Sequence, residues 1–466
     1  MRLGQKSFIY FLSKIGATLA GFVATIYLAR ILGAGTLGTY YLVIAVLTWL
    51  KMFSTMGIAK AVKKRISETD EPSEFLTAGV LLQAASLLVV TTAIVVFQSQ
   101  LRSYTGFERI DILLLLLFAG AFFSFVTSVL VGENLTHISG ALQPLDRVTR
   151  TVAQVTFVLL GFNLLGLFFG YILGSILAAT VGLYYISARF SYPDRSHFRS
   201  LWAYAKFSWL GSFSNRTLAS MDTLVLGVFV TSDLIGIYEI AWNVASVLAV
   251  FGVAINTSLF PEISSLDADE TEDIARLAQT GVAYAGVFII PGLVGGLILG
   301  EVVLSVYSQE FRQGYFILVL LILARLISTY KNQFVNVIDA INRPDIGFRI
   351  NAVFVVTNIS LNFLLVYVYG WVGAAVATIS SAAVGAILAY GALTRLTAFQ
   401  FPVSEVLKQL VAAVAMGIPV YAGAEYLSYR MLPSLLLIAV GAGIYFGVLL
   451  GISPRFRTTI KSNVPF

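Results

Sequence analysis

The chain has 466 residues, of which 58% are hydrophobic and 12% are charged. A soluble domain carries about 25% charged residues, so a chain this apolar could not cover its own surface with polar groups in water. The formal net charge of +6 needs no nucleic-acid partner, because Lys and Arg gather in the cytoplasmic loops of membrane proteins. There are no cysteines, which excludes disulfides, and two histidines are too few for a histidine metal cluster. The composition predicts an all-α integral membrane protein.

Fourteen stretches along the chain are apolar over about 20 residues, the length that crosses a bilayer. The N-terminal run after Lys6 superficially looks like a signal peptide, but it continues to about residue 32 without a small-residue cleavage pattern, so it is interpreted as the first span. The predicted spans are 8–32, 37–59, 75–97, 112–132, 146–163, 166–188, 204–229, 235–260, 276–300, 313–340, 348–369, 371–394, 404–424 and 434–452.

Loop charges predict the orientation of these spans. With the N-terminus inside, cytoplasmic segments hold about 19 of the 30 Lys and Arg residues and external segments hold about five. An even number of spans returns the C-terminus to the cytoplasm, so we expect a multi-pass plasma-membrane protein with both termini cytoplasmic. No loop exceeds about 20 residues, which leaves no room for an extramembrane catalytic domain, and no enzymatic activity is expected.

An internal repeat divides the chain. The stretch LARILGAGTLGTYYLVIAV (28–46) is similar to LGVFVTSDLIGIYEIAWNV (226–244) at an offset of 198, which aligns Gly38 with Gly236 and Tyr40 with Tyr238. Chance similarity of apolar sequence is the alternative. Duplicated bundles are typical of secondary transporters, with the substrate site where the repeats meet. The repeat predicts a six-helix lobe at 1–200, a second at 201–396, and two further helices with a basic tail at 397–466.

Polar side chains recur at helical spacing inside several spans. The eighth span aligns Glu239, Asn243, Ser246 and Thr257, and the eleventh aligns Asn351, Asn358 and Asn362. The tenth span aligns Arg325, Ser328, Asn332, Asn336 and Asp339, with Lys331 to one side. Hydrogen bonds between helices, worth about 0.6 kcal/mol each, explain most single Ser, Thr and Asn residues. Basic residues inside spans cost at least about 2.5 kcal/mol each and are harder to attribute to packing, although snorkelling explains some near span ends.

As a group, the basic residues predict a cationic chamber for an anion. The predicted substrate-binding residues are Lys14, Lys51, Asn215, Arg216, Arg325, Lys331 and Asn336. The acids within the spans have two interpretations: they neutralise these bases, or one of them holds Na⁺ or H⁺ for coupling. These acids are Asp222, Glu239 and Asp339. No other cofactor is expected.

The opening of the chain, FLSKIGATLAGFVATIYLARILGAGTLGTYYL (11–42), resembles that of polysaccharide-transport flippases of the O-antigen translocase type. These belong to the multidrug/oligosaccharidyl-lipid/polysaccharide exporter superfamily. The family pattern of Ala-Arg, a hydrophobic residue, Leu-Gly, and then Gly and an aromatic is matched by Ala29, Arg30, Leu32, Gly33, Gly38 and Tyr40. The stretch MDTLVLGVFVTSDLIGIYEIA (221–241) is similar to the junction of the family's seventh and eighth spans.

The resemblance implies two six-helix lobes in a V around a central cavity, with spans one and seven lining it and the last two spans forming a groove for a lipid tail. It implies alternating access that moves a lipid-linked oligosaccharide, carried on an isoprenoid phosphate or diphosphate, from the cytoplasmic to the outer face. The partners to expect are this glycan, membrane lipids and glycan-assembly proteins, and we expect a monomer.

Two rival functions are weighed against this one. A drug or organic-ion exporter of the same superfamily should present an acid in the first span to bind cations, where this chain has Lys14. A membrane-embedded glycan polymerase or ligase needs acid–base groups near a membrane face, usually on a sizeable external loop. The predicted external loops are short and contain neither His137 nor His197.

Overall fold

A computed structural model describes the backbone of residues 3–69, 72–266, 270–426 and 431–463, and their side chains except at 3–20, 207–219, 431–432 and 459–463. This part of the chain is helical throughout, without a strand. The helices are α1 (Leu3–Thr55), α2 (Ile58–Ser67), α3 (Pro72–Val96), α4 (Gln98–Thr105), α5 (Ile110–Gly132), α6 (Thr136–Leu159), α7 (Asn163–Tyr184), α8 (Arg195–Phe229), α9 (Ser232–Leu248), α10 (Val250–Ser264), α11 (Thr271–Ala285), α12 (Ile289–Ser305), a 3-10 turn (Gln309–Gly314), α13 (Tyr315–Ala340), α14 (Pro344–Tyr369), α15 (Trp371–Leu396), α16 (Val403–Tyr426), α17 (Met431–Ile452) and α18 (Pro454–Asn463).

The prediction of an all-α membrane protein is confirmed, while the count of fourteen spans is confirmed only in part. Within the described residues, ten helical segments are long and apolar enough to cross a bilayer, or eleven if the bent pair α9–α10 is one span. The predicted first and second spans share one of these segments, which begins at Gly21. The predicted fifth span corresponds to α6, which carries charges, and the seventh corresponds to α8, which includes residues 207–219.

The helices break at two places that differ from the predicted span boundaries. The first and second spans follow each other within α1, and only Gly33 (φ 75°, ψ 169°) leaves the helical conformation between them. Glycine adopts this positive φ without the steric cost that a side chain brings, so the break is one residue rather than the interval 33–36 left between the predicted spans. The predicted eighth span is bent by 46° where α9 passes into α10.

The described chain forms two compact units, Met1–Gly236 and Ile237–Phe466. A core in the first unit joins α1, α5 and α7 through Val43, Leu47, Leu116 and Phe168. Cores in the second unit join α10, α11, α13, α14 and α15 in one cluster and α12, α16 and α17 in another. The predicted six-plus-six-plus-two division stays a prediction.

The two aligned glycines of the repeat meet at a close crossing inside the first unit. A Cβ on Gly38 would lie 1.6 Å from the carbonyl oxygen of Ser232, and a Cβ on Gly236 would lie 2.1 Å from that of Ala34. Ser232 follows Ala34 by 198 residues, and Gly236 follows Gly38 by the same number. The two contacts are therefore equivalent under the offset of the repeat. Such reciprocity is what a two-fold relation between duplicated segments produces.

The start of α8 is fixed by hydrogen bonds around His197. The Asp194 backbone N–H donates to His197 Nδ1 at 3.0 Å, and the Asp194 side chain caps the first turn. On its other side, His197 Nε2 lies 2.9 Å from a carboxylate oxygen of Glu74 in α3. These contacts satisfy amide groups that a helix leaves unpaired at its N-terminus, and they anchor the helix that carries Asn215, Arg216 and Asp222.

Candidate functional site

The predicted binding residues fall into three groups by position. The side chains of Lys14, Asn215 and Arg216 lie outside the described residues. Lys51 belongs to the first unit, and Asp222, half-buried in α8, belongs to it as well. The second unit holds the remaining predicted residues, namely Glu239, Arg325, Lys331, Asn336 and Asp339.

Lys51 turns toward the interior of the first unit. A methyl group on Gly120 would lie 3.2 Å from Lys51 Cδ, 3.6 Å from its Nζ and 3.5 Å from the hydroxyl of Tyr171. The absence of a side chain at Gly120 therefore leaves the space in which the lysine stem extends beside α5. Among the described residues, the Lys51 ammonium forms neither a hydrogen bond nor an ion pair.

A charged cluster that the sequence analysis did not propose lies beside Lys51. Arg150 in α6 donates to Asp146 Oδ2 at 2.7 Å, and its guanidinium carbon lies 3.7 Å from the centre of the Tyr171 ring. Ser175 in α7 donates to Asp146 Oδ1 at 3.1 Å. The spacing of Asp146 and Arg150, four residues apart in a helix, is the signal that could have predicted this pair.

Hydrogen bonds extend this cluster along α6. The Gln154 amide donates to the Tyr40 hydroxyl at 3.1 Å and to the Leu167 carbonyl at 2.9 Å. Gln154 also fits against Gly170, where a Cβ would lie 2.6 Å from the Gln154 backbone nitrogen. The polar groups of α6 are thus held against α7 by specific partners, which explains how a helix too charged for a simple apolar span packs inside the unit.

In the second unit, Arg325 joins two of the predicted polar faces. Its guanidinium carbon lies 3.7 Å from the centre of the Trp242 ring, and it donates a hydrogen bond to the Ser246 hydroxyl. Arg325, Trp242 and Ser246 are all half-buried. The predicted faces of the eighth and tenth spans therefore meet at this arginine. Glu239 and Asn243 lie on the same face of α9 by helical spacing.

The lower part of the same α13 face makes other contacts. The Asn336 amide donates to the Asn256 carbonyl at 3.2 Å, which ties α13 to α10. Asp339 is half-buried and lies against Gly347, where a Cβ would be 2.2 Å from its carboxylate oxygen. The predicted coupling role of Asp339 stays a prediction.

Lys331 lies on a different face of α13 from Arg325, so the structure does not bring these two cations together. Its side chain is 2% exposed, and its Nζ donates to Asn351 Oδ1 at 3.1 Å and lies 4.3 Å from the centre of the Phe354 ring. Its stem fills the space beside Gly385, where a Cβ would lie 2.8 Å from Lys331 Cδ. None of the ion pairs in the described ranges includes Lys331.

The predicted polar face of the eleventh span serves packing over part of its length. Asn358 donates to the Ser381 hydroxyl at 3.1 Å, and Asn362 donates to the Asn358 carbonyl at 3.0 Å. Asn358 and Asn362 are both buried. An interhelical hydrogen bond therefore accounts for Asn358, as the alternative interpretation of the polar faces expects, whereas the bond of Asn362 lies within α14.

An open depression of about 520 Å³ lies in the first unit beside the kink of α1. It contains none of the predicted binding residues. Its polar lining consists of uncharged side chains and glycine backbone, from Gly35, Thr36, Thr39, Gly106, Asn163 and Ser232.

The two arginine clusters share one chemistry. In each, an aromatic ring faces the planar guanidinium and a hydroxyl group accepts a hydrogen bond from it. The arginine side chain remains partly exposed in both clusters. A guanidinium presents five N–H donors and matches phosphate oxygens bidentately. Such a cluster can bind a phosphate group.

Comparison with solved structures identifies the fold. The chain matches a structure described as the lipid II flippase MurJ in an inward closed conformation, with a TM-score of 0.82, 16% sequence identity, and coverage of 97% of this chain and 100% of the other. It also matches an inward-facing multidrug resistance MATE family transporter of the MOP superfamily, with a TM-score of 0.66, 14% identity, and coverage of 81% and 95%. The fold is that of these membrane transporters.

The family follows from sequence comparison. Residues 3–267 match the family model described as polysaccharide biosynthesis protein, and the chain belongs to this family. It is 32% identical to the probable flippase AglR of Haloferax volcanii over 99% of this chain and 98% of that protein. It is 27% identical to the probable low-salt glycan biosynthesis flippase Agl15 of the same organism, over 96% and 94%. The resemblance stated from the opening residues is thereby confirmed.

Proposed function

We propose that this protein is a flippase that moves a lipid-linked oligosaccharide from the cytoplasmic to the outer face of the membrane for glycan biosynthesis. Two relatives that match nearly the whole chain are named as flippases, one of them for glycan biosynthesis, and the family is that of polysaccharide biosynthesis proteins. The carrier is an isoprenoid phosphate or diphosphate, and the movement follows alternating access.

The observation that carries this proposal is an arginine held on an aromatic ring in each unit, beside or within a helix long and apolar enough to cross a bilayer. Arg150 lies on Tyr171 and Arg325 lies on Trp242, each at 3.7 Å. A positive charge inside a bilayer is costly, and such residues mark a substrate path or pair with an acid. The chemistry of a guanidinium on a ring suits a phosphate joined to sugars, because the ring also offers an apolar surface to a sugar face.

The physical task is to carry a sugar-phosphate head through about 30 Å of hydrocarbon. Basic side chains replace the water that solvates the phosphate, and Ser, Thr and Asn groups on the same helix faces contact sugar hydroxyls. An inside-negative membrane potential favours outward movement of the anion by about 2.3 kcal/mol per charge per 100 mV. The isoprenoid tail stays in lipid during the transfer.

The test is transport by purified protein in liposomes that contain a fluorescent polyprenyl diphosphate-linked disaccharide, with exposure on the far leaflet measured by lectin binding. Lys14→Ala, Arg216→Ala and Arg325→Gln should each slow transport at least about tenfold, the factor expected when one hydrogen bond to a charged group is lost. Arg349→Gln, on an exposed position of α14, is the matched control and should leave the rate unchanged. Wild-type protein that moves no substrate contradicts the function, and full activity of all three variants contradicts the cationic chamber.

Several finer features belong to the same proposal. Both termini lie in the cytoplasm and the membrane is the plasma membrane, as the loop charges predict. The proposal further includes coupling to Na⁺ or H⁺ and a monomeric state. It also includes partnership with glycan-assembly proteins and the lack of catalysis. The alternative, export of drugs or organic ions, draws on the MATE neighbour at 14% identity, which shares the fold.

A further inference from the structure

The Asp146–Arg150 pair uses only part of the hydrogen-bonding capacity of its arginine. One terminal nitrogen of Arg150 donates to Asp146 at 2.7 Å and contacts the Ser175 hydroxyl at 3.4 Å. The Nε–H of Arg150 is buried and has no partner among the described residues. A buried donor without an acceptor costs free energy, so this arginine is arranged for more acceptor oxygens than Asp146 and Ser175 supply.

A second cation with open donors lies at the same tyrosine. The Lys51 ammonium and the Tyr171 hydroxyl border the same space beside Gly120, while Arg150 covers the face of the Tyr171 ring. Together the two side chains carry two positive charges against one carboxylate, because the described residues around them offer only Asp146 as an ion-pair partner. The local charge therefore favours a further anion.

The cluster is reachable by a ligand. The side chain of Arg150 is 25% exposed and Lys51 is half-buried, whereas the side chain of Asp146 is only 7% exposed. Asp146 lies on the same helix as Arg150, one turn away, and occupies the guanidinium edge that a phosphate would otherwise take. A carboxylate and a phosphate present similar oxygen pairs to arginine, so one can replace the other.

From this geometry we propose that Lys51 and Arg150 bind the phosphate of the lipid carrier, and that Asp146 is an internal competitor which holds Arg150 until the phosphate displaces it. This inference rests on the proposed function and adds Arg150 to the substrate-binding residues and Asp146 as a positioning residue. Ser175 remains the hydrogen-bond partner of the released carboxylate, which keeps Asp146 satisfied while Arg150 is engaged with substrate.

The test is binding of farnesyl diphosphate, a short isoprenoid diphosphate, to the full-length protein in phosphatidylcholine nanodiscs. Asp146→Asn should tighten binding at least about threefold, because the competing charge is removed while a polar partner for Ser175 stays. On that background, Asp146→Asn/Arg150→Gln should bind at least about tenfold more weakly than Asp146→Asn alone. The double variant leaves no buried unpaired carboxylate, so it compares folded proteins.

Controls separate this inference from general electrostatics and from the proposed function. Arg147→Gln, exposed on the same helix, should leave affinity unchanged, and Lys51→Met should weaken binding at least about tenfold. Competition by inorganic pyrophosphate indicates that the head group suffices. Displacement of farnesyl diphosphate by phosphatidylglycerol as readily as by pyrophosphate assigns the site to bulk anionic lipid and overturns the substrate assignment.

Equal affinities of Asp146→Asn and the double variant overturn the inference, even where wild-type protein transports its glycan and the proposed function stands. Wild-type protein that binds the probe as predicted but transports no lipid-linked glycan has the opposite meaning: the phosphate site stands and the proposed function fails.

Discussion

Two cations, one in each unit, are stabilised in different ways. Arg150 of the first unit has a carboxylate at 2.7 Å, a hydroxyl partner and a tyrosine ring. Lys331 of the second unit has one amide oxygen at 3.1 Å and a phenylalanine ring, and no ion pair among the residues described. The first retains a quarter of its side-chain surface, whereas the second is 2% exposed.

The difference indicates which cations suit a ligand and which suit packing. A partly exposed arginine with an unused donor can exchange one anion for another. A lysine enclosed by α13, α14 and α15 has no space for a phosphate in this conformation, and its long stem fills the volume beside Gly385. The exposed fraction of a basic side chain and its unused hydrogen-bond donors therefore indicate substrate binding better than its position inside a span does.

The largest effect should follow from removing the arginine of the paired cluster. Arg150→Ala leaves the Asp146 carboxylate buried with Ser175 as its remaining partner, so the free energy of unfolding should fall by about 3 kcal/mol. Unfolding in detergent micelles with increasing SDS measures this loss. The double variant Asp146→Ala/Arg150→Ala should recover part of it, and a double variant as unstable as the sum of the single ones would contradict a coupled pair.

Two glycines that border the cations sharpen the comparison. A Cβ on Gly174 would lie 2.8 Å from the Asp146 carbonyl oxygen and 3.0 Å from the Arg150 backbone nitrogen, so Gly174→Ala must displace a helix. A Cβ on Gly385 would meet the flexible stem of Lys331. We expect losses of about 2 kcal/mol for Gly174→Ala and less than about 1 kcal/mol for Gly385→Ala in the same unfolding assay. The reverse order would show that the lysine stem is held as rigidly as the backbone.

The lysine itself offers a direct contrast. Lys331→Met keeps most of the volume and removes the amino group, which has no carboxylate partner among the described residues. Replacement of a buried ionisable group by an apolar one of similar size is often neutral or stabilising, so the free energy of unfolding should stay constant or rise by about 1 kcal/mol. Differential scanning fluorimetry provides the measurement. A loss as large as that of Arg150→Ala would refute the view that the two cations differ.

The smallest effect is expected at an exposed ion pair, which sets the scale for the others. Arg276 and Asp273 lie 2.6 Å apart with side chains that are 73% and 47% exposed. Solvent screens such pairs, so Arg276→Gln should change the free energy of unfolding by less than about 0.5 kcal/mol. A change above 1 kcal/mol would mean that this pair is part of a larger network.

Composition and hydropathy were sufficient to predict the membrane class, since lipid requires long apolar helices. The family was predicted separately, from the resemblance of the stretches at 11–42 and 221–241. They were less reliable for α6, because partners on α7 and α1 decide whether charged residues can lie inside a bundle. The sequence analysis did not select Arg150, although its spacing of four residues from Asp146 was visible. Arg325 and Lys331 are six residues apart, so helical spacing alone places them on different faces of α13. A polar pattern on one helix does not specify which neighbours each face meets.

The crossing of Gly38 and Gly236 has a consequence for the substitutions that each of the two segments tolerates. Gly38 leaves room for the backbone at Ser232, and Gly236 leaves room for the backbone at Ala34. A methyl group at either glycine therefore pushes apart the same two segments. The energetic effects of changes at these two places are therefore coupled. A side chain larger than hydrogen at either glycine therefore requires both segments to move, so each position limits what the other can accept.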